Sequence, residues 1–260
     1  MLKVVAFMKQ VAEELRMGGS FGTAHVYRSS TNAIIAYCGK GDFSFDKVTP
    51  EWLKGFEVHL RGRGCSWNTV STYLRTFRAV NSRMIIYTPH LFRYVYTGTR
   101  ADHKRALCDE DMKKVFTKLS SSSAVPTTVR RAQELFILMF LLRGLPFVDL
   151  AYLRKSDLRD NVITYRRRKT GRPLSVTLTP EAMILLKRYM SRDTDSPYLF
   201  PLLKSGEGTK EAYHEYQLAL RSFNQQLMLL GKMLGLNDRL SSYAARHTWA
   251  TTAYYCEIHP

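Results

Sequence analysis

LSSYAARHTWATTAYYCEIHP, Leu240 to Pro260, reads as an amphipathic helix that carries an adjacent Arg246 and His247. A guanidinium beside an imidazole is half of what a phosphate-handling site requires: a fixed positive charge, and a group that exchanges a proton near neutrality. Taken alone, an Arg–His pair on a helix is more often structural than catalytic. The sequence stops soon after the pair, as though the other half of the site were missing. Whether the pair belongs to a site depends on what the rest of the chain supplies.

The charge balance is the first constraint. The 260 residues include 39 Lys and Arg against 22 Asp and Glu, a formal +17. Hydrophobic residues at 45% and charged residues at 23% are the composition of a folded globular protein. A surplus of that size favours a polyanion, because each phosphate neutralised releases a condensed counterion. Double-stranded DNA is the leading partner. An anionic membrane fits less well, since no Lys/Arg-rich amphipathic segment stands beside an apolar anchor. The longest apolar run, Leu135–Leu142, is far short of the ~20 residues that span a bilayer. The N-terminus lacks the layout of a signal peptide. Cys38, Cys65, Cys108 and Cys256 are scattered without a C-x-x-C pair. Reduced, buried thiols in a cytoplasmic protein are therefore expected, with no structural zinc, other metal or cofactor.

The first third has the pattern of short helices. Val4, Val5, Met8, Val11, Ala12 and Leu15 share one face at helical spacing. After a Gly-Gly-Ser break, Thr23 is placed to cap a second helix carrying Val26, Tyr27, Ile34 and Ile35. Thr49-Pro50 opens a third, with proline at the first helical position, where its missing N–H costs nothing. Trp52, Phe56 and Leu60 line its inner face, and Gly62 and Gly64 end it. The fourth, NTVSTYLRTFRAVNSRM, takes Asn68 as N-cap and sets Val70, Tyr73, Leu74, Phe77 and Val80 on one stripe. Arg75 and Arg78 lie off that stripe, facing water or a partner. A helical domain over residues 1–88 follows. Residues 89–107 have no clean period and contain Pro89, Gly98 and several basic residues among aromatics. They read as a linker, either a strap across a nucleic-acid backbone or a solvated connection.

Residues 108–260 are mixed. Asp109 is placed to cap a helix through Leu119, and the helix from about Val129, nearly all apolar at ELFILMFLL, is expected at the centre of a second domain. NVITYRRR and PLSVTL alternate as strands around KTGR, the sign of a β-hairpin. Thr179-Pro180 starts another helix, and Glu211–Leu234 is a long helical pattern. Besides Arg246 and His247, two basic sites stand out here. Arg143 ends the buried helix in FLLRGLPFVDLAYL, where it either complements the helix dipole or faces a ligand. Lys169 lies at the tip of the hairpin in YRRRKTGRPLSVTL, a basic run that is either a solvated face or a phosphate-contacting one.

In this order these segments resemble the tyrosine recombinase, or phage integrase, family, and within it the integrases of Bacteroides-type mobile elements. ARHTWATTA is similar to the family's Arg-His-Thr-aromatic-Ala-Thr box, KTGRPLSVTLTPE to its hairpin and following helix, and NTVSTYLRTFRAV to the last helix of its core-binding domain. The resemblance covers nearly the whole chain. It implies a mainly α fold with a small β-hairpin or sheet: an N-terminal helical, SAM-like core-binding domain over 1–88, a linker over 89–107, and an α+β integrase-type catalytic domain over 108–260, incomplete at its C-terminus. Arg246 then matches the second catalytic arginine, His247 the histidine that commonly follows it, and Lys169 the hairpin lysine. Arg75, Arg78, Arg166, Arg167, Arg168 and Arg172 become candidate DNA contacts.

Three departures stand beside the match. Tyr243 occupies the usual place of a histidine; its phenol donates a hydrogen bond but accepts a proton poorly near neutrality. Pro146 occupies the place of the first catalytic arginine, with Asp149 at the family's acidic position and Arg143 three residues earlier as the substitute. The family's Gly-His box and nucleophilic tyrosine are expected roughly 20 to 35 residues beyond Arg246, so this chain is expected to lack its own nucleophile. Tyr254 and Tyr255 are expected to be core aromatics. The implied activity is site-specific DNA recombination through a 3′-phosphotyrosyl intermediate, by homo-tetramers on DNA that are monomers when free, at the bacterial nucleoid. The alternative is a catalytically dead fragment that occupies attachment sites. A basic helical RNA binder is the outside reading, with the ARHTWATTA box then a coincidence.

Overall fold

Val4, Val5, Met8 and Val11 recur every three or four residues, and α1 (Val4–Met17) buries all four. It packs against α2 (Phe21–Cys38), which starts after Ser20 rather than at the expected Thr23. The buried face of α2 is Ala24, Ser30, Thr31, Ala33 and Ile34, while Val26, Tyr27 and Ile35 are only half-buried. Burying the hydroxyls is inexpensive because both are satisfied within the helix: Ser30 Oγ donates to the Val26 carbonyl at 2.9 Å and Thr31 Oγ1 to that of Tyr27 at 2.8 Å.

In α3 (Pro50–Gly62), Thr49 Oγ1 accepts the Trp52 N–H at 3.1 Å, and Leu53, Phe56 and Leu60 are buried. Ser66, not Asn68, caps α4 (Trp67–Asn81), accepting the Thr69 N–H at 3.2 Å. Asn68 serves elsewhere: its amide donates to the Arg100 carbonyl at 2.8 Å and accepts the Arg100 N–H at 2.9 Å. Residues 89–100, expected as the start of a linker, are folded onto this same core. A short 3₁₀ turn covers Pro89–Phe92, and Leu91, Phe92 and Val95 are buried. Buried Glu57 on α3 accepts the Tyr96 N–H at 2.6 Å. Apolar spacing this short carries no period, which is why the stretch has the pattern of a solvated connection.

The computed structural model describes residues 3–39, 41–84, 89–100, 106–117 and 125–256, so 101–105 of the expected linker lie outside the described residues. Two units divide at Asp102 and His103. In the second, α5 (Asp109–Phe116) has Cys108 at its cap position with Asp109 in the first turn; Leu119 lies outside the described residues. The apolar helix α6 (Thr127–Leu141) is central and packs against α5, α8, α9 and α10. After α7 (Phe147–Tyr152) comes an antiparallel sheet in the order β1 (Leu158–Arg159), β2 (Val162–Arg166), β3 (Pro173–Thr177). The expected hairpin pairs Val162 with Thr177 through Arg166 with Pro173; two-residue β1 has no alternation to announce it. Thr179 caps α8 (Pro180–Tyr189), followed by α9 (Lys210–Met233) and α10 (Ser242–Tyr255).

The fold is thus mainly helical with one small sheet. Among the described residues no helix is long and apolar enough to cross a membrane. The cysteines differ from expectation: Cys38 and Cys65 are half-buried, and Cys108 and Cys256 are exposed because they sit at helix ends. Replacing Glu57 by Ala should lower the unfolding free energy of the first unit by about 1–3 kcal/mol, the cost of leaving the Tyr96 N–H without its buried acceptor. Urea denaturation followed by tryptophan fluorescence measures this.

Candidate active site

Four pieces of the second unit meet at one place: the end of α6, the start of α7, the β2–β3 turn and the first turns of α10. The helix α10 begins without a side-chain cap of its own; the Ser242 N–H instead donates to Asn224 Oδ1 on α9 at 2.8 Å. Ala244, Ala245, Thr248 and Ala253 face inward, and Thr248 Oγ1 accepts the Leu107 N–H at 3.0 Å. Ala245, Thr248 and Ala253 of ARHTWATTA are therefore packing positions on the side of α10 that meets α6, while Ala250 and Thr251 are exposed. Half-buried Arg246 and His247 stand at the edge of that contact.

The opposing surface is Gly144. It adopts φ +68°, and a Cβ there would stand 2.9 Å from Arg246 Cα and 3.3 Å from Trp249 Cβ. The Gly144 N–H returns to the Phe140 carbonyl at 3.3 Å and that of Leu145 to Met139 at 3.0 Å, closing the end of α6. The Gly144 carbonyl then accepts Arg246 Nη1 at 3.1 Å, fixing the guanidinium. Arg143 lies in the same turn, exposed and with φ +57°. It stands past the last turn of α6, on the approach to α7, and Pro146 takes the cap position of α7.

Asp149 in the first turn of α7 is 3% exposed. Its Oδ1 accepts the Arg168 N–H at 3.0 Å and its Oδ2 lies 3.7 Å from Arg167 Nε. Burial pushes this carboxyl above the usual range, opposed by the Arg168 amide and by the charges of Arg167, Arg168 and Arg246. Burial likewise pushes the hydroxyls of Tyr152 and Tyr165 up to about 12, so both stay protonated. The turn that Asp149 holds is closed by the Arg167 N–H on the Arg172 carbonyl at 2.9 Å and by Gly171 at φ +68°, with Lys169 exposed at its tip.

The basic residues expected to contact DNA divide into groups. Arg75 and Arg78 are exposed on α4 and, with Tyr27, Thr72 and Ser82, line a groove of about 580 Å³ on the first unit. Arg166 and Arg172 are exposed, Arg166 Nη1 donating to the Gly171 carbonyl at 3.2 Å. Arg167 turns toward Asp149, and Arg168 pairs with Glu207. Tyr243 is exposed, its ring edge-on to His247 with centroids 4.6 Å apart. Tyr254 and Tyr255, expected in the core, are 79% and 78% exposed: they close the last turn of α10, where Ala253 is the inward residue. Gly144, Tyr152, Asn224 and Glu207 were not among the expected site residues. The Gly after Arg143 was the one available signal, as a glycine closing a helix.

Arg167 and Arg168 of the β2–β3 turn and Arg246 of α10 are thus gathered about buried Asp149, in a mainly helical unit with one small sheet. Residues 3–83 match the phage integrase SAM-like domain and residues 105–257 the phage integrase family. The chain belongs to the phage integrase family, the tyrosine recombinases. Among solved structures it is similar to the Tn1549 transposon integrase in complex with transposon right end DNA, with a TM-score of 0.68 at 16% identity over 100% of this chain and 89% of that one. A lambda integrase dimer bound to a COC′ core site gives 0.64 at 17%, covering 98% and 88%. A lambda integrase tetramer bound to a Holliday junction gives 0.61 at 15%, covering 97% and 73%. Identities this low establish a common fold. A search of curated proteins returned no match.

Gly144→Ala tests the central contact. A left-handed backbone alone costs an L-residue about 1–2 kcal/mol, and the clash with Arg246 Cα adds to it. Chemical denaturation should register a loss of at least that size in the second unit.

Proposed function

We propose that this chain grips duplex DNA at a recombination site and polarises one phosphodiester for strand cleavage and rejoining. The observation that carries the reading is Arg246, fixed by the carbonyl of Gly144 next to the exposed Arg143, its charge acting on Asp149, the carboxyl that holds the turn bearing Lys169. Negative charge grows on the non-bridging oxygens as phosphorus is attacked, and a preorganised donor aimed there is worth about 2.7–4 kcal/mol. Arginine suits the role because its planar fork binds two oxygens and stays charged. Arg246 supplies one such fork and Arg143 the second, in place of the arginine that Pro146 displaces.

The departing 5′-oxygen takes a proton from Lys169, exposed at the tip of the turn. His247 and Tyr243 support the phosphate as hydrogen-bond donors. The attacking group is a tyrosine hydroxyl, whose oxygen bonds to the 3′-phosphate so that the bond energy is kept for rejoining. Neither Tyr254 nor Tyr255 has this role. They lie roughly 12 Å along α10 from Arg246, at 1.5 Å per residue, and face solvent. Active assemblies are homo-tetramers on paired DNA sites, with monomers in the absence of DNA. The separation of both tyrosines from Arg246 along α10 favours a second reading: occupancy of the site without cleavage.

A protein making 6–10 phosphate contacts should lose about 10³–10⁵ in duplex affinity between 50 and 200 mM salt, and Arg75→Ala or Arg78→Ala should each flatten the log–log slope by about one. Fluorescence anisotropy gives the slopes; a flat wild-type response would remove the reading. A nicked suicide substrate separates the two versions of it. The chain should bind this substrate without forming a covalent adduct, whereas an adduct lost in Tyr254→Phe or Tyr255→Phe would identify the nucleophile and reverse the assignment.

A further inference from the structure

Arg168 behaves unlike the rest of the basic turn. Its main-chain N–H is held by Asp149, and its guanidinium lies over the Tyr152 ring, 3.7 Å from the centroid. Nη1 pairs with Glu207 Oε1. The other carboxylate oxygen of Glu207 takes Arg154 Nη2 at 2.6 Å, and the Arg154 N–H is itself held by Asp157 at 2.8 Å. These groups line a cleft of about 260 Å³. Glu207 stands between Gly206 and Gly208, the latter at φ +83°, so the chain direction at the carboxylate is set by a backbone that few other residues adopt.

A guanidinium used this way makes a poorer phosphate ligand, since an aromatic ring covers one face and a carboxylate takes its Nη1. Its contacts instead tie the turn to α7 through Asp149 and Tyr152, and to the segment before α9 through Glu207. The next residue in the chain is Lys169. A proton donor acts only within hydrogen-bond reach of its acceptor, so a lysine on a loose turn is a weak one.

We propose that Arg168 is a positioning residue: its ion pair with Glu207, stacked on Tyr152, latches the basic turn onto α7 and thereby sets where Lys169 is presented. The purpose of the latch rests on the role given to Lys169 above; the latch itself is measurable without DNA. Burial raises the Glu207 carboxyl, but the hydrogen bonds and charges of Arg154 and Arg168 outweigh it and leave the group below its usual range. The pair therefore persists above the ordinary glutamate range and is lost as pH falls through the depressed value.

The experiment uses the full chain and the variants Arg168→Met, Glu207→Gln and the two combined. Glu134→Gln, which breaks the Arg188–Glu134 pair on α6 and α8, controls for general loosening. Amide exchange over residues 167–172 and the pH profile of Lys169 acylation by acetic anhydride are read by mass spectrometry. Each latch variant should speed exchange in the turn by about fivefold or more and shift the Lys169 profile. The combined variant should add nothing further, and the control should change neither. An unaltered turn and profile in both latch variants, or an equal response in the control, would overturn the proposal. Duplex binding provides a second, independent readout: Arg168→Met should keep the wild-type salt slope while Arg166→Ala flattens it by about one. A loss of about one for Arg168→Met would make it a phosphate ligand instead. Absence of duplex binding would defeat the proposed function, while exchange and acylation would still decide the latch.

Discussion

The contact between Gly144 and Arg246 governs the site because two different requirements are met at one residue. The backbone of α6 must turn sharply to leave room for α7, which calls for a left-handed residue, and it must do so against α10. Glycine satisfies both, since it carries no side chain to resist the turn or to hold the helices apart. Its carbonyl, no longer used within α6, becomes an acceptor for Arg246 Nη1. The inward alanines and Thr248 of α10 are the complementary half of that approach. A larger residue on either side would displace the Arg246 guanidinium without changing the residue itself.

Asp149 is the second constraint, and it works by being insufficient. A lone buried carboxylate costs several kcal/mol to desolvate, so it persists only with partners. Here one amide and three nearby arginines oppose the burial, yet the carboxyl is still shifted upward. Asp149 and Glu207 together face Arg154, Arg167, Arg168 and Arg246, so cations still outnumber these two carboxylates, which is the condition for attracting an anion. The aspartate orders the cations without neutralising them.

Much of this could be read from the sequence, for identifiable reasons. Helices α3 and α4 buried the stripes their periodicity marked, Trp52 and Tyr73 only in part, the apolar α6 is central, and Thr49 and Thr179 capped where a Thr-Pro pair said they should. The reading failed where a side chain had more than one use. Asn68 is a good capping residue, but Ser66 capped α4 and Asn68 was spent on the Arg100 backbone. The basic run Arg166–Lys169 could not be sorted by sign alone. Strand alternation places Tyr165 inward and Arg166 outward, then ends, and the turn that follows sends Arg167 and Arg168 back toward Asp149 and Glu207. Glu207, 39 residues from Arg168, gave no local signal at all.

These two kinds of cation suit two different tasks. Arg75 and Arg78 are exposed on a helix face, with room to change rotamer on meeting a ligand, which would suit sequence-independent grip on a phosphate backbone. Arg246 is held by a backbone carbonyl before any ligand arrives, so little of its conformational freedom remains to be lost on binding. A surface of adaptable cations alone would bind DNA tightly without favouring any one linkage. A rigid cation alone would have no means of bringing that linkage to it. On the proposed reading, the net surplus of positive charge would supply attraction, and the few arginines whose positions the fold fixes would convert that attraction into discrimination between one phosphate and its neighbours.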